Sequence, residues 1–91
     1  MSDCELHVGP GTERVVADVL LERQAQDARF GGPASDDRRE PAEWVALLLK
    51  HLARVAGTDD DDARRGHLVR VAALAVAAVE SLDRRACGTG P

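Results

Sequence analysis

EWVALLLKHLARVAG, residues 43–57, is the stretch with the clearest helical pattern in the chain. Its apolar residues recur at every third or fourth position, as on one face of an α-helix: Trp44, Leu48, Leu52 and Val55. Pro41 suits the first helical position, where a missing N–H leaves no hydrogen bond unmade. Gly57 is a typical C-terminal cap residue. We therefore predict an α-helix over about 41–56.

The same stretch has basic residues on one side of the predicted helix. Lys50 and Arg54 are four positions apart, and His51 and Arg54 are three apart, so their side chains are neighbours. Further on, His67 and Arg70 are again three apart. A short connection favours antiparallel packing of the two helices, which would bring both basic sets together. Since like charges repel by about 1 kcal/mol at ~4 Å in water, these groups would either stay solvated or hold an anion.

Upstream, another helical pattern precedes a region rich in helix breakers. Thr12 is a candidate N-cap, and valines and leucines then recur at helical spacing, which predicts a helix over about 12–29. Two glycines, a proline and a charged cluster follow, and we expect a loop at 31–40. Residues 1–11 show no periodicity and are expected to form a flexible arm.

Downstream, the acidic run TDDDD at residues 58–62 precedes a third helix, predicted over about 60–86. Acidic side chains stabilise a helix N-terminus through the helix dipole, and the run lacks the ligand spacing of a calcium loop. The centre of this helix, residues 71–79, is apolar on all sides, so we expect it to be buried on all sides. A chain of three helices cannot bury it alone, and we expect this helix at an oligomer interface.

Length and composition favour a small helical unit that associates with copies of itself. Ninety-one residues allow one domain, predicted over 12–87 with a tail at 88–91. Because Phe30 and Trp44 are the only aromatic residues, the core must consist of Leu, Val and Ala and be thin. The predicted fold class is all-α: a small three-helix unit that forms a helical bundle, completed by assembly into a homodimer or homotetramer.

Charge, hydropathy and cysteine placement exclude several classes of protein. A net charge of −4 argues against a general nucleic-acid binder, and no apolar run approaches the ~20 residues of a membrane span. With no secretory signal pattern, we expect a cytoplasmic protein. Cys4 and Cys87 lie near opposite ends and are either free thiols or a terminal disulfide. Only two plausible imidazoles, with no acid beside them, predict no metal site and no cofactor.

The segment LLERQAQDARFGG, residues 20–32, resembles a signature of small MazG-like proteins, a group of the all-α nucleoside triphosphate pyrophosphohydrolase superfamily with many phage and actinobacterial members. The shared positions are Glu22, Arg23, Gln26, Asp27, Arg29, Phe30 and Gly31. The Glu-Trp pair that opens the group's next helix matches Glu43 and Trp44, and the group's last helix resembles residues 67–85. The resemblance covers residues 19–85, about three-quarters of the chain.

The resemblance implies a helical, usually oligomeric bundle in which glutamates from two helices hold Mg²⁺ for hydrolysis of a nucleoside triphosphate. The chain departs from this pattern at the metal ligands. Where the group has carboxylates, or in some relatives one Gln, this chain has Lys50, His51, Arg54, Gly66, His67 and Arg70. Because charged Lys and Arg side chains have no acceptor to offer a cation, we expect no Mg²⁺-dependent pyrophosphohydrolase activity.

A basic pocket on this scaffold could hold a phosphate group directly, through Arg forks and Lys and His donors. The first functional hypothesis is therefore a degenerate MazG-like protein that binds a nucleotide or another anionic small molecule. Arg54 and Arg70 would clamp the anion, and Phe30 or Trp44 could stack on a base. The full set of predicted ligand-binding residues is Lys50, His51, Arg54, His67, Arg70, Phe30 and Trp44.

Two other functions stay open. In the second hypothesis, His51 and His67 are the acid–base pair of a metal-independent enzyme, since imidazole titrates near neutral pH. In the third, the protein is a structural or regulatory interaction module. Its basic residues would then face an acidic partner, or its own acidic residues 59–62 within the chain or across a dimer.

Overall fold

The computed structural model describes residues 9–88 of the chain. Over this range it contains four α-helices and no strand: α1 Pro10–Phe30, α2 Gly32–Asp36, α3 Pro41–Ala56 and α4 Asp61–Gly88. The three long helices correspond to the three predicted from periodicity. The all-α fold class is therefore confirmed.

The bounds of α3 and the start of α4 follow from capping chemistry. α3 begins at Pro41, as predicted, and Gly57 caps it by donating its N–H to the Ala53 carbonyl at 3.0 Å. The Asp60 carboxylate accepts the N–H of Ala63 at 2.9 Å, so the predicted acidic capping of α4 is also confirmed.

The start of α1 differs from the prediction. α1 begins at Pro10 with Gly9 as its N-cap, so the prediction of Thr12 as the N-cap was wrong. Pro is favoured at the first helical position because its fixed φ suits a helix and its N–H is not required. Of the predicted flexible arm, residues 10 and 11 belong to α1 and residues 1–8 lie outside the described residues, as does most of the predicted tail.

The predicted loop at 31–40 contains the short helix α2. Gly31 and Gly32 have positive φ values of 96° and 70°, and the Gly31 N–H closes α1 by donating to the Asp27 carbonyl at 3.0 Å. The chain then forms one new helical turn, in which the Asp37 N–H donates to the Pro33 carbonyl at 2.9 Å. The prediction treated Pro33 as a helix breaker, although proline in the first turn starts a helix as readily as it ends one.

Opposite effects on stability are expected from two glycine-to-alanine changes. Gly31→Ala should lower the free energy of unfolding by about 1–2 kcal/mol, because its φ is left-handed and its new Cβ would lie 3.3 Å from Ser35 Cβ. Gly66→Ala should raise it by about 0.5–1 kcal/mol, since Gly66 is helical and its Cβ would meet nothing within 4 Å. Urea denaturation measures both. A stabilising Gly31→Ala would contradict the left-handed turn described here, and a destabilising Gly66→Ala would contradict an open helical position at residue 66.

α4 is the central helix, and both other long helices pack on it. α1 runs parallel to α4, because Asp18 pairs with Arg65 and Gln26 reaches the Arg70 carbonyl further along both helices. α3 is antiparallel to α4, as its connection of four residues requires. Within the described residues no Cα atom of α1 lies within 8 Å of one in α3. A groove between α1 and α3 therefore runs over the surface of α4.

The hydrophobic core is small and lies where α3 packs on α4. Trp44, Leu74 and Ala77 form its buried centre, and Leu47, Leu48 and Ala78 pack against it. Residues 71–79 are not buried on all sides in the single chain, because Val76 and Val79 are 37% and 55% exposed. Burial on all sides was expected only with a second subunit, so it stays a prediction. That α4 forms an oligomer interface stays a prediction.

The structure also bears on two sequence predictions, the absence of a membrane span and the state of the cysteines. None of the helices in residues 9–88 is both long and apolar enough to cross a lipid bilayer. Cys87 is an exposed free thiol, whereas Cys4 lies outside the described residues. The choice between free thiols and a terminal disulfide therefore stays open.

Candidate functional site

A cavity of about 370 Å³ occupies the groove between α1 and α3. Its floor is formed by α4 from Arg70 to Ala77, two helical turns or about 10 Å. Small-molecule sites typically have volumes of about 300–1,000 Å³, so the cavity has room for a small ligand. It is lined by Glu22, Arg23, Gln26, Asp27, Arg29, Phe30, Asp36, Arg39, Trp44, Leu47, Lys50, His51, Arg54, Arg70, Leu74 and Ala77.

The cavity brings together six of the seven side chains predicted to bind a ligand: Lys50, His51, Arg54, Arg70, Phe30 and Trp44. The seventh, His67, does not line the cavity. His67 is still close enough to His51 for its charge to lower the pKa of His51. The two basic sets, one on α3 and one on α4, are therefore neighbours, as antiparallel packing of these helices requires.

His51 is the titratable group at the junction of the two basic sets. Burial lowers the pKa of His51, and nearby positive charges lower it further: Arg54, Arg70, Lys50 and His67. The neutral imidazole is therefore favoured. The Nδ1 atoms of His51 and His67 are both buried without a hydrogen-bond partner in residues 9–88. Each imidazole thus has an unused donor or acceptor position.

Three of the six cationic side chains in the cavity are paired with carboxylates. Arg23 lies 2.9 Å from Asp27 and 2.8 Å from Glu80. Arg29 lies 3.2 Å from Glu22.

The Arg39 guanidinium interacts with two neighbours. Its Nε is 3.9 Å from the Asp36 carboxylate, and the group lies over the Trp44 ring at 5.4 Å from the centroid. With Arg23, Arg29 and Arg39 paired, all three carboxylates of the cavity lining have a basic neighbour.

The other three cations, Lys50, Arg54 and Arg70, have no carboxylate partner in the described part of the chain. The lining has six Lys or Arg side chains and three carboxylates, which leaves an excess of three positive charges. The acidic residues 59–62 form no ion pair with these three cations in the described part of the single chain; Asp61 pairs with Arg64 at 2.6 Å and Asp60 caps α4. Within residues 9–88, neutralisation of the basic cluster by this segment is not observed.

Two of the polar side chains in the cavity that were not among the predicted site residues are almost completely buried. Gln26 and Asp36 are 5% and 6% exposed, and Gln26 Oε1 and Asp36 Oδ2 are buried without a hydrogen-bond partner in residues 9–88. Burial raises the pKa of Asp36. Gln26 lies seven positions after Val19, on the same buried face of α1, so a polar residue on an apolar stripe was the available signal. No such signal was available for Asp36, because it lay in a region that was predicted to be a loop.

The two aromatic residues occupy different parts of the cavity. Trp44 is 9% exposed and contributes to the hydrophobic core as well as to the cavity wall. Phe30 is 49% exposed and has the Arg29 guanidinium over its ring at 5.3 Å from the centroid. Phe30 is therefore the aromatic side chain with a free surface available for stacking.

No group of three or more His, Cys, Asp or Glu side chains that could hold a metal ion occurs in residues 9–88. No protein-family model matches the chain, and no curated protein or solved structure shows significant similarity to it. The resemblance to MazG-like proteins therefore rests on the sequence motifs alone and stays a prediction.

Proposed function

We propose that the cavity binds a small anionic molecule, such as a nucleotide or another phosphorylated compound, without Mg²⁺-dependent hydrolysis. One observation carries the proposal: Lys50, Arg54 and Arg70 converge on one cavity without a carboxylate partner in residues 9–88, whereas each of the other cations of the lining has a carboxylate oxygen within 3.9 Å. Like charges gathered on neighbouring positions of two helices repel one another. An anion bound among them would remove that repulsion.

The geometry of the cations suits a phosphate group. Arg54 projects from α3 and Arg70 from α4, so a ligand between them would be held from two helices. A guanidinium presents two parallel N–H groups to two phosphate oxygens, and Lys50 adds a compact charge. A protonated or neutral His51 supplies one more N–H.

We also propose that the chain has the MazG-like scaffold and forms the oligomer, both of which are expected from the sequence. The ordered motifs that opened the resemblance, Glu22 to Phe30 and Glu43-Trp44, both contribute residues to the cavity. Val76, Val79 and Leu82 are exposed along α4, which supports assembly into a homodimer or homotetramer.

Isothermal titration with inorganic pyrophosphate and ATP, in buffer containing EDTA, tests the proposal. We expect binding by the unmodified protein and an affinity about 10–100-fold lower for Arg54→Ala, as expected for loss of a charge-assisted hydrogen bond. The matched control is Arg14→Ala, because Arg14 is also exposed and helical but lies outside the cavity. Absence of binding by both anions, or equal losses in the two variants, would refute the proposal.

A further inference from the structure

The cavity has unpaired acceptor atoms as well as unpaired cations. Gln26 Nε2 lies 3.5 Å from Glu22 Oε2 and 3.5 Å from the Arg70 carbonyl. Because both of these neighbours are acceptors, the amide NH₂ group must face them, and Oε1 faces the other way. Gln26 Oε1 is buried and has no donor within residues 9–88.

The Asp36 carboxylate lies in a similar environment. Its nearest cation is the Arg39 guanidinium at 3.9 Å, which is too long for a hydrogen bond. Asp36 Oδ2 is buried and receives no hydrogen bond within the described residues. Burial without donors is also why the pKa of Asp36 is raised.

Two unpartnered acceptors in one small cavity are costly. A buried acceptor without a donor has lost its hydrogen bonds to water and gained none in return. The other two carboxylates of the lining do have donors. Asp27 accepts a hydrogen bond from Arg23, and Glu22 accepts one from Arg29. Gln26 Oε1 and Asp36 Oδ2 are thus the two oxygen atoms of the cavity lining that are buried without a donor within residues 9–88, and Arg39 Nε, 3.9 Å from Asp36 Oδ1, is likewise without a hydrogen-bond partner there.

Asp36 lies towards the end of the cavity opposite the unpaired cations. The next residue, Asp37, accepts a hydrogen bond from Ser81 at 2.8 Å. Ser81 is eleven positions, or about 16 Å, beyond Arg70 along α4. A ligand that contacts both Arg70 and Asp36 must therefore be elongated, with different chemistry at its two ends.

We infer that the ligand joins an anionic group to an N–H donor, as in a nucleotide with an exocyclic amino group on its base, and that Gln26 and Asp36 determine specificity for this donor. The inference rests on the proposed function, because the phosphate end is held by Arg54 and Arg70. The amino group donates one hydrogen bond to Gln26 Oε1 or Asp36 Oδ2. Stacking on Phe30 is compatible with this orientation.

Two ligand pairs that differ only in the amino group test the inference. AMP is compared with purine riboside 5′-monophosphate, and CMP with the 2-pyrimidinone ribonucleotide, which carry hydrogen in place of NH₂. We expect at least one amino member to bind about 10-fold or more tightly than its partner, since a buried acceptor discriminates strongly against a ligand without the donor. Pyrophosphate, which has no donor of this kind, serves as the reference for the cationic end.

Substitutions then locate the discrimination. Gln26→Met and Asp36→Leu should reduce the ratio of affinities within the pair to about 1–2, because apolar residues of similar size accept no hydrogen bond. Neither change should weaken pyrophosphate binding, and Asp36→Leu should strengthen it, because it removes one of the three carboxylates that offset the cations of the lining. Gln24→Met is the control, since Gln24 is an exposed residue of the same helix outside the cavity. The comparison of ligand pairs on the unmodified protein does not depend on the folding of any variant.

The outcomes separate this inference from the proposed function. If pyrophosphate binds in an Arg54-dependent manner but the members of both pairs bind equally, or none binds, the inference is wrong and the proposed function stands. If discrimination persists in both Gln26→Met and Asp36→Leu, the donor is recognised elsewhere and the assignment of these residues is wrong. If no anion binds, both the inference and the proposed function fail.

Discussion

Replacing Trp44 with alanine is expected to lower the free energy of unfolding by about 3–5 kcal/mol. Trp44 is the largest side chain in a core whose buried centre also contains only Leu74 and Ala77 among the described residues. A cavity left at this position has few neighbours able to fill it. Since small domains are stable by about 5–15 kcal/mol, such a loss would remove a large part of the total stability.

Circular dichroism in urea measures this effect, because the variant has no tryptophan left for fluorescence. Phe30→Ala is the matched control, as Phe30 is the other aromatic residue and is 49% exposed. It should cost about 1 kcal/mol or less. Similar losses for Trp44→Ala and Phe30→Ala would show that the core does not centre on α3 and α4.

The double variant Arg54→Glu, Arg70→Glu is expected to lose at least ~100-fold in pyrophosphate affinity, because two attractive charges become repulsive. Its melting temperature should remain the same or rise, since the substitution removes repulsion among the cations of α3 and α4. The pKa of His51 should rise, because two guanidinium groups that lower it are replaced by carboxylates. Calorimetry and an NMR titration of the His51 ring protons measure these effects.

A neutral double variant, Arg54→Gln with Arg70→Gln, separates charge from shape. It should lie between the unmodified protein and the glutamate variant in both pyrophosphate affinity and the pKa of His51. If the pKa rises as described and pyrophosphate affinity does not change, the basic cluster exists but does not bind the anion. If neither changes, Arg54 and Arg70 do not lie beside His51.

The long helices could be predicted because their signals are local. The apolar spacing in α3 and the capping of α4 by Asp60 depend only on residues within a few positions of each other. The start of α1 and the helix α2 were missed because proline was interpreted as a helix breaker at both places. Pro10 and Pro33 both favour the first turn of a helix, whereas glycine next to proline was interpreted as a loop.

The basic half of the site was also accessible from sequence. The spacing of Lys50 and Arg54, together with the short α3–α4 connection, places the two basic sets beside each other. Gln26 and Asp36 depend instead on how α1 and α2 pack on α4, which no local pattern encodes. The same limit explains why His67 was grouped with the ligand-binding residues although it lies outside the cavity lining.

The separation of α1 from α3 has a consequence for what a ligand would do to the protein. Among residues 9–88, α3 packs on α4 alone and α1 packs on α4 and α2, so this part of the chain lacks the close α1–α3 interface that a three-helix bundle normally has. A molecule bound between Arg29 on α1 and Arg54 on α3 would supply that interface. The ligand would then be part of the tertiary structure, and the bound protein would differ from the free one in rigidity as well as in charge.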